Sequence, residues 1–216
     1  VDKQIDARNP RTQNRALVKG ELDHNWARAL TLGSAGILIL SAAMLHTNAL
    51  YLSPFVLVII WGYSLAKRFT SLCHIWLGVA LGMAPIAVWV SLTGTLEVQG
   101  IVLAAIVCTW VAGFDILYAL QDRIFDDAFG LSSISVKLGK RGAMWVSRCL
   151  HLITTACLFI FPVFVELAWP YWIGVAAIGA VLFWEHHLIR PGDLSQMNRA
   201  FFTANSTISL LFLLAI

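Results

Sequence analysis

The chain has 216 residues, of which 59% are hydrophobic and only 12% charged, with nine tryptophans and a formal net charge of +3. So little charge over so much apolar sequence excludes a disordered chain and an ordinary water-soluble globule, and indicates an integral membrane protein. The small positive excess sets orientation in a bilayer, so nucleic acid is an unnecessary partner.

The chain opens VDKQIDARNPRTQNRALVKGEL, which is polar and carries both signs of charge. Asp2 and Asp6 are four apart and share a face if helical, and Pro10 ends that helix at or before Asn9. Arg11 and Arg15, one turn apart, offer guanidinium forks to a phosphate or a substrate carboxylate.

Apolar stretches follow at about 25–45, 49–66, 73–92, 100–120, 145–165, 170–189 and 200–216, each near the roughly 17–25 residues that a spanning helix needs. The expected fold class is therefore all-α, a polytopic transmembrane helical bundle with seven spans. The basic residues test that count. They fall before the first span and at its start, between the second and third (Lys67, Arg68), between the fourth and fifth, and between the sixth and seventh (Arg190, Arg199). The connections at 46–49, 93–99 and 166–169 contain no Lys or Arg. By the positive-inside rule the basic loops are cytoplasmic and the bare ones face the other side.

Between the second and third spans runs YSLAKRFTSLCH, residues 63–74. Lys67 and Arg68 there either neutralise a phosphate or anchor the helix by snorkelling. The third span has Gly78, Gly82 and Pro85, which suit close packing or a kink. The fourth contains Trp110 and Phe114, either packing aromatics or a lining able to stabilise a cation.

That fourth span delivers GFDILYALQDRIFDDAFGLSS, residues 113–133. At about 100° per residue, Asp115, Tyr118, Asp122 and Asp126 fall on one face of a continuous helix, whereas Asp127 lies off it. Converging carboxylates repel one another, and divalent cations with oxygen ligands relieve this; Mg²⁺ fills its remaining positions with water and substrate phosphate. Acidic residues past a membrane helix are equally explained as a solvated loop, but Asp2 and Asp6 repeat the spacing at the same membrane face. Beyond it, Gly139 and Gly142 break a turn-rich loop; His186 and His187 beside Glu185 suggest a metal, but adjacent residues point about 100° apart on a helix, so the two histidines read as interfacial. Asn198, Asn205 and Ser206 either bind helix to helix or face a cavity. Cys73, Cys108, Cys149 and Cys157 lack metal-ligand spacing and read as free thiols.

Three motifs in this order resemble the UbiA superfamily of intramembrane aromatic prenyltransferases, and among its branches the menaquinone-pathway and 4-hydroxybenzoate polyprenyltransferases. Asp2, Ile5, Asp6, Arg11, Thr12, Arg15 and Gly20 match the first acidic motif and its basic tail. Asp115, Tyr118, Ala119, Asp122 and Asp126 match the second, and Tyr63, Ser64, Lys67, Arg68 and Thr70 a Tyr-Ser-x-x-Lys-Arg segment. The family has nine helices with the first motif after the second. The resemblance thus implies one transmembrane prenyltransferase domain over 1–216, lacking two N-terminal helices of a nine-helix fold.

The resemblance also implies a mechanism. Asp2, Asp6, Asp122 and Asp126 would hold Mg²⁺ ions that bridge a polyprenyl diphosphate. Arg11, Arg15, Tyr63, Lys67 and Arg68 would bind substrate, and Asp115 and Tyr118 would orient the aromatic acceptor or shield the allylic cation. Mg²⁺ is the implied cofactor. The lipid bilayer, a polyprenyl diphosphate and a 4-hydroxybenzoate-like acid are the implied partners, with no obligate protein partner evident. The implied place is a bacterial inner membrane, with the acidic motifs on the cytoplasmic side, and the implied role is in ubiquinone or menaquinone biosynthesis. Other expectations are an inactive truncated remnant, the same fold with haem, a chlorophyll precursor or a sugar phosphate as acceptor, and a cation-binding transporter.

Overall fold

The computed structural model describes residues 2–189 and 194–216; the basic residue Arg190 lies outside them. Among the described residues there is no strand, and the chain is an all-α bundle. Two short helices, α1 (Lys3–Asp6) and α2 (Ala16–Lys19), precede α3 (His24–Leu45). The start of α3 is fixed by Asp23, whose carboxylate accepts hydrogen bonds from the backbone N–H groups of Asn25 and Trp26, as an N-cap residue should. His46 alone joins α3 to α4 (Thr47–Ala66), and its Nδ1 accepts the Asn48 N–H at 3.1 Å.

Helix α5 (Cys73–Thr93) ends at Gly94, whose φ of 75° closes the helix in the left-handed region where glycine is favoured. The Asn48 amide donates to the Gly94 carbonyl at 2.7 Å, tying α4 to that turn. Helices α6 (Val98–Tyr118), α7 (Arg123–Ala128) and α8 (Ile134–Ile160) follow. Ser133 caps α8 by accepting the Val136 N–H, and Gly139 breaks the helix at φ 68°, ψ 178°. Helix α9 (Pro170–Leu188) is followed by α10 (Met197–Arg199), a π-turn (Ala200–Ala204) and α11 (Asn205–Ala215).

Among the described residues five helical stretches, His24–Leu45, Thr47–Ala66, Cys73–Thr93, Val98–Gln121 and Ile134–Val163, are long and apolar enough to cross a membrane. Seven spans were expected. The two that fall short have a physical reason: α9 ends in the polar Glu185, His186 and His187, and the last stretch is interrupted by the π-turn, leaving α11 with 11 residues. The class is unchanged, an integral membrane helical bundle. Its outer faces carry large apolar side chains such as Met44 and Leu92, which suit a hydrocarbon surround.

The interface between α5 and α6 is made by small residues. A Cβ on Gly78 would lie 2.3 Å from the Cys108 carbonyl oxygen, and one on Gly82 would lie 2.8 Å from that of Ala104. The two backbones therefore touch, which larger side chains would forbid. Ile116, Leu117, Leu120, Ile134 and Met144 form one buried cluster near the end of α6, and Ile106, Leu158, Tyr171, Ile178 and Ile208 another further along. The interfacial reading of His186 is corrected here. Glu185 is buried, and His186 Nε2 lies 3.0 Å from Nδ1 of the buried His151, because α9 turns that side toward α8; His187 is exposed.

Candidate active site

Asp2, Asp6, Arg11, Arg15, Tyr63, Lys67, Arg68, Asp115, Tyr118, Asp122 and Asp126 line one cavity of about 800 Å³ at the end of the bundle where α4 and α6 finish. The chain reaches it by three routes: the stretch from Asp2 to Arg15, the turn after α4, and the end of α6 with α7.

The second acidic stretch does not lie on one continuous α-helix. Helix α6 stops at Tyr118, a 3₁₀ turn covers Ala119–Gln121, and α7 begins after Asp122. The tighter winding of a 3₁₀ turn shifts the register, yet Asp115, Tyr118, Asp122 and Asp126 all still line the cavity. Asp126 is buried and Asp127 exposed, as their positions predict. The stretch is held by Arg123, whose Nε donates to the Ser135 carbonyl at 3.0 Å, and by the Ser132 N–H donated to the Lys67 carbonyl at 2.7 Å.

The lining is a set of matched ion pairs. Arg68 meets Asp2 at 2.7 Å, Arg15 meets Asp6 at 2.8 Å, Lys67 meets Asp126 at 2.9 Å, and Arg11 clasps Asp122. Arg11 binds through two nitrogens, Nε to Oδ1 at 2.8 Å and Nη2 to Oδ2, and its Nη1 donates to the Tyr118 hydroxyl at 3.1 Å. Its guanidinium carbon also stands 5.1 Å from the centre of the Tyr118 ring, a cation–π distance. Tyr63 lines the same cavity.

The pairing fixes the charge states. Burial opposes the Asp122 charge, but the hydrogen bonds from Arg11 and Asn9 outweigh it and hold the carboxyl below its ordinary range. The hydrogen bond to Asp122 likewise raises Arg11. Burial works against the Lys67 ammonium, yet the adjacent Asp126 charge and hydrogen bond leave it raised. Asp122, Arg11 and Lys67 are therefore ionised near neutrality.

Two site residues escape sequence reasoning. Asn9 is buried and donates from Nδ2 to Asp122 at 3.2 Å, while its Oδ1 accepts the Arg11 N–H at 2.9 Å; its place before Pro10 marked a helix end, not a partner. His74 is buried at the start of α5, with Nδ1 2.7 Å from Asp115. Trp110 and Phe114 do not line the cavity. They form an aromatic row with Phe201, whose ring is 5.3 Å from Phe114 and 4.1 Å from Tyr118.

Among the described residues, no three His, Cys, Asp or Glu side chains converge tightly enough to hold a metal ion together. The donor set fits Mg²⁺ in kind: hard carboxylate oxygens lining a cavity with room for phosphate. In this arrangement each of those four carboxylates is engaged by an internal cation.

A membrane-spanning helical bundle that gathers such a lining at one end has the form of an intramembrane site for an anionic ligand. The chain belongs to the UbiA prenyltransferase family, which it matches over residues 1–207. It is 28% identical over 205 residues to a 4-hydroxybenzoate octaprenyltransferase from Vibrio parahaemolyticus, an alignment covering 95% of this chain and 72% of the relative. The protein of the same description from Methylobacillus flagellatus is 26% identical, covering 95% and 69%. Among solved structures, the apo form of a UbiA homolog from Aeropyrum pernix K1 superposes with a TM-score of 0.88 at 31% identity, covering 99% of this chain and 80% of that one.

Proposed function

We propose that this protein transfers a polyprenyl group from a prenyl diphosphate to an aromatic acid of the 4-hydroxybenzoate type, in quinone biosynthesis. The observation that carries the reading is the paired lining: Asp2, Asp6, Asp122 and Asp126 each matched to Arg68, Arg15, Arg11 or Lys67 around one cavity. A diphosphate with divalent cations is the ligand that such a lining exchanges into, since the carboxylates can turn to metal and the bases to phosphate. Relatives described as 4-hydroxybenzoate octaprenyltransferases support the acceptor class.

Asp2, Asp6, Asp122 and Asp126 would hold Mg²⁺, which when bound stabilises negative charge on the departing diphosphate. Lys67, Arg68, Arg11 and Arg15 add positive charge to the same leaving group. The Tyr118 ring, which already faces the Arg11 cation, offers its electron-rich face to an allylic cation. Apolar helix surface beyond the charged lining would keep water from that cation, and the bilayer would hold the isoprenoid tail. The distribution of basic loops supports a site at the cytoplasmic face under the positive-inside rule, and the bacterial relatives support an inner membrane.

The test is prenyl transfer in detergent or lipid, with a long-chain prenyl diphosphate and a panel of hydroxybenzoate acceptors, with Mg²⁺ and with chelator. Product that requires Mg²⁺ and disappears in Asp122→Ala supports the assignment. Absence of product from the folded chain across the panel overturns it.

A further inference from the structure

Five carboxylates line the cavity: Asp2, Asp6, Asp115, Asp122 and Asp126. Among the described residues four are ion-paired to Arg or Lys, and Asp115 is the exception. Its partner is the imidazole of His74, with Nδ1 2.7 Å from Oδ2. The difference is chemical. A carboxylate clamped to a guanidinium or ammonium is a poor base, because its proton competes with a fixed positive charge. An imidazole, unlike a guanidinium, does not hold its charge permanently, and in either charge state its Nδ1–H orients the carboxylate.

The geometry shows why the pair forms. His74, Gly78 and Gly82 recur every fourth residue along one side of α5, facing the Ala104 and Cys108 carbonyls of α6. With no side chain at Gly78 or Gly82 the two backbones touch, and one turn before Gly78 this brings His74 against Asp115. His74 is 1% exposed, and among the described residues its Nε2 has no hydrogen-bond partner. An ionised carboxylate can only accept, so Nδ1 carries the hydrogen and donates it to Asp115. The Asp115 side chain is 20% exposed, so it is buried on the His74 side and open on the cavity side.

We propose that Asp115 takes the ring proton of the aromatic acceptor after the new carbon–carbon bond forms, and that His74 is the positioning residue that holds its carboxylate for that transfer. This rests on the aromatic prenyl-transfer reading above. The carbon–oxygen bond of the prenyl diphosphate breaks and its electron pair leaves with the diphosphate. A ring carbon beside the phenolic hydroxyl then supplies the electron pair of the new bond to the allylic carbon. That ring carbon gives up its proton to the free Asp115 oxygen, the carbon–hydrogen electron pair restores the aromatic ring, and Asp115 later releases the proton to water. No oxidant or reductant is needed.

The experiment measures kcat, KM for both substrates and the kinetic isotope effect with acceptor deuterated at the ring position that is substituted. It compares the intact protein, His74→Phe, His74→Asn and Asp115→Asn, each with its melting temperature. In the intact protein proton loss from the ring is expected to be fast, so that deuterium has no effect. His74→Phe, which fills the site without a donor, is expected to lower kcat about tenfold or more, leave KM for prenyl diphosphate unchanged and expose a primary isotope effect. His74→Asn, whose amide can replace Nδ1–H, is expected to recover most of kcat and lose the isotope effect. Asp115→Asn keeps an acceptor for His74 but removes the base, and is expected to lower kcat by about 100-fold or more with the same isotope effect. This last variant keeps the test decisive even where His74→Phe fails to fold. Loss of kcat without an isotope effect in Asp115→Asn overturns the inference while leaving the prenyltransferase reading intact. No transfer by the intact protein to any hydroxylated aromatic acid overturns both.

Discussion

Arg11 and Asp122 are 111 positions apart in the chain, yet they form a two-nitrogen clasp, with Arg11 Nε 2.8 Å from Oδ1 and Nη2 on Oδ2. This bidentate contact fastens the chain's opening segment to the end of α6. Asn9 adds a third bond to the same carboxylate at 3.2 Å, so Asp122 is the hub between the two acidic stretches.

Arg11→Met leaves the 8% exposed Asp122 side chain with Asn9 as its remaining donor. The expected cost is about 1–3 kcal/mol, because a buried charged acceptor loses its main partner. Arg11→Lys keeps the charge but not the fork, and is expected to lose about 1 kcal/mol. Thermal unfolding in detergent checks both, and equal melting of Arg11→Met and the parent would contradict the hub role.

The other pairs differ in burial, and their variants should rank accordingly. Lys67 pairs with Asp126, whose side chain is 3% exposed, so Lys67→Met is expected to cost about 1–3 kcal/mol. The Arg68 and Asp2 side chains are 43% and 42% exposed, and Arg68→Met is expected to cost about 0–1 kcal/mol. Chemical unfolding of the two variants side by side decides it; the reverse order would mean that burial does not govern these pairs.

Stability at this site should be flat across neutral pH and fall at both extremes. Asp122 is held below its ordinary range, so its contribution is fully present above the unfolded carboxylate value of about 3.9 and is lost as pH falls through the lower folded value. Lys67 is raised, so its contribution is fully present below about 10.4 and is lost as pH rises through the higher folded value. Melting temperature followed against pH should show the acid arm shrink in Asp122→Asn and the alkaline arm shrink in Lys67→Met.

Gly78→Ala would push a methyl group to 2.3 Å from the Cys108 carbonyl, a backbone atom that cannot swing away. Separation of α5 from α6 is the expected result, with a loss of about 1–3 kcal/mol and a fall in prenyl transfer as His74 leaves Asp115. Gly36→Ala on α3 meets nothing within 4 Å and is expected to be neutral or to gain about 0.4–1 kcal/mol. Melting temperatures and activities of the pair test it, and equal behaviour would rule out the close approach as the determinant.

Length, apolar stretches and the acid and base spacings are local properties, and the sequence by itself determined the helical membrane class, the candidate acids and the candidate bases. Asp115, Asp122, Asp126, Lys67 and Arg15 all line one cavity. The tertiary structure decided which acid meets which base, since each of the four partnerships joins residues whose approach is set by helix packing or by the folded opening segment. It also decided that α6 ends at Tyr118 with a 3₁₀ turn, that Asn9 and His74 belong to the site, and that Glu185 lies inside. Composition and periodicity act over a few residues, whereas a hydrogen bond between His74 and Asp115 exists because Gly78 and Gly82, on a different helix from Cys108 and Ala104, let two backbones touch.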